Sequence, residues 1–210
     1  MPNIINIEKV IRNTRRYWFV DGIAEISGGA LISFIALSYY LTSLISNVAV
    51  KAILLGLGQP VIILLGAFAI RKIIAWLKDN ITYPRTGYLS FNNPPENRRV
   101  QRIIKVVFVA VIVSLVVAFF TQLLSIQLMP VISMILFSLF TIYLGYQNAV
   151  TRFYFVAFVL IVLGVIISVI NTDDVNRFVI LYAALGVTWI ASGGIALINY
   201  LRKTKPVKEN

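Results

Sequence analysis

Asp21 and Glu25 interrupt an apolar run that continues to about Leu44. They are four residues apart, so a helix carries both on one face, about 6 Å apart along its axis. Ionised carboxylates at that spacing repel each other, and acids inside a membrane usually face a partner or a water-filled path. Asp21 lies a turn past Tyr17 and Trp18, which read as an interfacial aromatic belt. Its expected place is therefore the headgroup zone, favoured by the amino-terminal helix dipole. Glu25 lies a further turn inside, where it must either be protonated or meet a cation. Arg85 is the expected partner, with Arg15, Arg16 and Arg99 as alternatives. It sits in the phrase Tyr83-Pro84-Arg85-Thr86-Gly87-Tyr88, which reads as a turn anchored by two tyrosines. Such a pair would cap one mouth of a helix bundle, and its release would act as a gate. Gln59, beside Pro60 in a second apolar run, is the other polar candidate.

Other chemistry is excluded by what the chain lacks. It contains no cysteine and no histidine, which removes disulfides, thiolate nucleophiles, imidazole bases and Cys/His metal or haem ligation. No phosphate-binding loop, nucleophile elbow, zinc-protease helix or dinucleotide fingerprint is present. The expectation is a non-enzyme without cofactor or bound metal. A net charge of +11 would also suit a nucleic-acid binder. Here the basic residues adjoin apolar runs, and Arg98, Arg102 and Lys105 share a helix face without base-reading or stacking neighbours. Their expected partners are anionic lipid headgroups, not nucleic acid.

The elements that must position these residues are transmembrane helices. Of the 210 residues, 59% are hydrophobic and only 13% charged, about half the charge of an ordinary soluble domain. Mean hydropathy is +0.87. The pattern predicts an all-α membrane protein with six spans, near 19–44, 48–70, 94–123, 130–146, 153–170 and 178–200. Pro60 should kink the second span. Asn93-Pro94-Pro95-Glu96 reads as a capped start for the third, which at about 45 Å would project beyond the hydrocarbon core. The fifth, almost featureless, suits a lipid-facing helix.

Three regions follow: a basic amphipathic segment at 1–18, a membrane domain at 19–201 with a basic loop at 71–105, and a basic disordered tail at 202–210. With both termini in the cytoplasm, 17 of the 19 basic residues fall on that side, as the positive-inside rule asks of a multi-pass cell-membrane protein. Gly28 and Gly29 in the first span echo Gly193 and Gly194 in the last, and predict close helix packing there. The functional expectation is a membrane subunit, scaffold or regulator that meets lipid, a membrane-protein partner or its own copy through the basic loop. The alternative is a small-solute or ion transporter or channel using Asp21, Glu25 and Gln59.

Overall fold

A computed structural model describes residues 17–86 and 125–204, with the isolated helical positions Ile104, Phe108, Val111, Ile112, Leu115 and Phe119 between them. The described residues are helical and contain no strand. Five helices are long and apolar enough to cross a membrane, and they point to a membrane location. They are α1 (Ile23–Ser43), α2 (Val48–Arg85), α3 (Met129–Asn148), α4 (Arg152–Val169) and α5 (Asp174–Lys203). Apart from those six positions, the expected third span, with Arg98, Arg102 and Lys105, lies outside the described residues, as do 1–16, Gly87, Tyr88 and 205–210.

The first span does not start at residue 19. Residues 17–20 form a separate helical turn, and the chain breaks at Asp21-Gly22, where Gly22 takes φ +70°. A side chain there would be strained, which explains a glycine at that position. The second span does not end at residue 70. Asn47 caps α2 by accepting from the amides of Ala49 and Val50, and the helix then runs past the basic residues to Arg85. The segment 71–85 is therefore helix and not loop, and Tyr83–Thr86 is a helical turn rather than a reverse turn.

Two π-helical stretches widen α2, at Leu54–Gly58 and Lys78–Thr82. The first ends on the Gln59 amide, which donates to Leu54, and it immediately precedes Pro60. Proline lacks an amide and crowds the preceding turn, so one widened turn accommodates it.

α1 packs most extensively on α5, and α3 on α4; α4 also meets α5, while α2 touches mainly α1. The core joins Met134 of α3, Val156, Leu160 and Ile167 of α4, and Leu181 and Leu185 of α5. α4 is thus not simply lipid-facing. Phe153, Val156, Ala157, Leu160, Gly164 and Ile167 recur at helical spacing and are buried, while Phe155, Phe158 and Val162 are exposed. Because both faces are apolar, the periodicity was invisible in the sequence.

Close approach of α1 and α5 rests on glycine. A Cβ on Gly29 would lie 2.7 Å from the Gly186 carbonyl oxygen, and one on Gly193 would lie 2.7 Å from that of Gly22. These are backbone atoms with little freedom to move aside. Gly28 comes only within ordinary contact of Trp189, and a Cβ on Gly194 would meet open space. One glycine of each predicted pair makes the seam, with Gly22 and Gly186 as the opposing residues.

Candidate functional site: a clamped break in the first span

The helix break at Asp21-Gly22 creates two electrostatic demands. The turn at residues 17–20 ends without a continuing helix, so its carbonyl groups need donors. Asp21 and Glu25, both without solvent exposure, need cations. Two basic residues meet both demands, each taking one carboxylate and one freed carbonyl.

Lys78 of α2 is one of them. Its Nζ lies 2.7 Å from Asp21 Oδ2, donates to the Trp18 carbonyl at 3.0 Å, and sits 4.6 Å from the centre of the Trp18 ring. Thr82 donates to the same carboxylate oxygen at 2.7 Å. Lys78 and Thr82 bound the second π-helical stretch of α2, and both are buried. The other oxygen of Asp21 accepts from the Ile23 amide at 3.1 Å and so caps α1. Asp21 is therefore a buried tie between α1 and α2 at the amino-terminal end of α1.

Arg152, the first residue of α4, is the second cation. Its Nη2 donates to Glu25 Oε1 and to the Phe19 carbonyl, and its Nε to Glu25 Oε2 at 3.3 Å. Ser192 of α5 donates to Glu25 Oε2 at 2.8 Å. The Arg152 guanidinium also lies over Phe153, whose ring packs edge-on against Phe19. Glu25 is therefore paired with Arg152, not Arg85. Arg85 instead donates to the Thr204 carbonyl at 2.7 Å and holds the end of α2 against the end of α5. Tyr200 adds a second link of this kind, its hydroxyl donating to the Thr82 carbonyl at 3.3 Å.

Both pairs thus gather at one end of the bundle, with four segments converging: the 17–25 stretch, the end of α2, the start of α4 and the end of α5. Gln59 is elsewhere. It is buried in the first third of α2, 3.0 Å from the Ser38 hydroxyl of α1. The structure brings Asp21 and Glu25 together and leaves Gln59 and Arg85 in separate contacts.

The sequence contained signals for the missed residues. Arg152 is a lone basic residue between the apolar runs that become α3 and α4. Gly22 stands directly after Asp21. Lys78 carried no comparable signal, since it lies among other basic residues in a segment that read as loop. No group of three acidic, histidine or cysteine side chains suited to a metal ion occurs among the described residues. No protein-family model, curated protein or solved structure matches the chain.

Proposed function

We propose that the chain is a six-span component of the cell membrane with both termini cytoplasmic, acting as a non-enzymatic subunit, scaffold or regulator. Its basic segment beyond Arg85 would meet anionic lipid or a protein partner. One observation carries this reading: all four oxygens of Asp21 and Glu25 are held by the protein's own groups. Carboxylates engaged in this way act as ties between helices, and a cargo ion would have to displace a lysine or an arginine to reach them. The ties fix the cytoplasmic end of the bundle in one arrangement, which suits a platform for a partner.

The transporter reading has one observation in its favour. The first span is broken, and broken spans with freed carbonyl groups build ion sites in transporters. In that reading Lys78 and Arg152 occupy the place of cargo, and release of either would open the site.

Two measurements separate these readings. Proteoliposomes holding the full chain should be no more permeable to Na⁺, K⁺ or H⁺ than empty vesicles. Photo-crosslinking from position 97 in native membranes should give one discrete adduct. A cation flux abolished by Glu25→Gln would overturn the scaffold reading in favour of transport. Orientation is tested on this cysteine-free chain by placing one cysteine at position 97. Protection from an impermeant external reagent is expected in intact cells, and labelling would reverse the topology.

A further inference from the structure

A half-open groove of about 550 Å³ lies beside the clamped break, with Arg152 in its lining. Its walls come from three places: Tyr17 and Val20 of the first turn, Val150 to Arg152 at the start of α4, and the last turns of α5. Along α5 the lining changes in order from Ile195 and Ala196, through Asn199 and Tyr200, to Lys203 and Thr204. That is about 12 Å of helix running from apolar to charged, the gradient of a bilayer leaflet read from tail to headgroup. The apolar end is open, with Ile195 63% and Val20 38% exposed.

The charged end has cations and no acid in its lining. Lys203 is exposed and makes no ion pair among the described residues. Arg152 is about one-third exposed, and its Nη1 makes no hydrogen bond among the described residues, while Nε and Nη2 are committed to Glu25 and Phe19. The amino-terminal end of α4 opens on the same groove, and its dipole favours an anion there. Thr151 and Asn199 add polar residues to the lining.

The geometry points to a binding site for one anionic phospholipid. Its phosphate would lie between Lys203 and the free edge of Arg152, and an acyl chain would lie along Val20 and Ile195. A soluble anion has no use for the apolar half of the groove, and a neutral lipid has no use for Lys203. This site rests on the membrane reading of the chain. It is independent of whether the protein scaffolds or transports, so its failure leaves the flux and crosslinking results standing.

The test is native mass spectrometry of the full chain in detergent, with phosphatidylglycerol and phosphatidylcholine of the same acyl chains at equal concentration. One phosphatidylglycerol should bind in preference to phosphatidylcholine, and Lys203→Gln should weaken it about fivefold, the effect of one surface cation on an anionic lipid. Arg202→Gln removes a neighbouring exposed charge that does not line the groove, and should leave binding unchanged. Equal loss in both variants would mean diffuse surface attraction and overturn the site. Equal binding of the two lipids would do the same. Competition by inorganic phosphate at lipid-equivalent concentration would reassign the groove to a soluble anion. Unchanged melting of both variants without lipid confirms that binding, not folding, is read.

Discussion

α5 and α2 hold on to α1 in opposite ways. The α1–α5 seam is a long contact in which Gly22, Gly29, Gly186 and Gly193 bring backbones together. Such packing is spread over many weak contacts, with the Ser192–Glu25 hydrogen bond as a polar link. α2 instead exposes most of its length, with Leu57, Leu64, Phe68 and Trp76 all above 60% exposure. Only Gln59, Ile74, Lys78 and Thr82 are buried along it. α2 is therefore fastened at points, and the strongest is Lys78 with Thr82 on Asp21. Beyond Gly66, which packs against Leu31 of α1, α2 has little close packing, and where apolar surface gains nothing by leaving lipid such a helix depends on its polar contacts.

That contrast predicts unequal responses to substitution. Lys78→Met leaves Asp21 buried without its cation, and should cost about 3–5 kcal/mol in chemical or thermal unfolding. It should also free α2 selectively, so a cysteine pair at positions 38 and 59 would crosslink less well than in the parent. Arg152→Met should cost less, because its side chain is partly exposed and solvent screens the pair.

Gly193→Leu and Gly29→Leu force side chains into backbone and should destabilise by about 1–3 kcal/mol or more. Gly194→Leu meets open space and should melt like the parent. Equal effects at Gly193 and Gly194 would break the distinction between seam and surface.

Gln59→Leu removes the Ser38 contact and should cost about 0.6 kcal/mol, the typical worth of a hydrogen bond between membrane helices. The smallest effect lies at the opposite end of the bundle. The Asn176 side chain, which donates to Asp173, holds that carboxyl below its usual range. A lowered folded pKa adds stability above the unfolded value, near pH 4, and loses it as pH falls through the folded one. The first turn of α5 should therefore fray on acidification below about pH 4, read as faster amide exchange at residues 174–177. Asp173→Ala should show that fast exchange already at neutral pH.

The apolar spans were legible because hydropathy over some 20 residues is a strong signal. The need of Glu25 for a partner was also legible, from its depth past Tyr17 and Trp18. Its partner was not. Depth and charge rank Arg85 and Arg152 alike, and only the meeting of α4 with the 17–25 turn decides for Arg152. The partners of Asp21 were not legible either, because the break at Gly22 and the approach of Lys78 and Thr82 depend on how α2 packs on the first span. Lys78 was hidden because hydropathy falls at Arg71 and Lys72, which are exposed, while the helix itself continues. Adjacent glycines point about 100° apart on a helix, so a Gly-Gly pair shows that a seam exists without showing which member faces it.

The most direct test of these ties is a double-mutant cycle on Asp21 and Lys78, with unfolding followed in one detergent for Asp21→Leu, Lys78→Met and the double variant. Each single variant should lose about 3–5 kcal/mol, and the double variant should lose much less than their sum, because no uncompensated charge remains. Losses that simply add would contradict the pairing, and with it the view that α2 is held to the first span at Asp21.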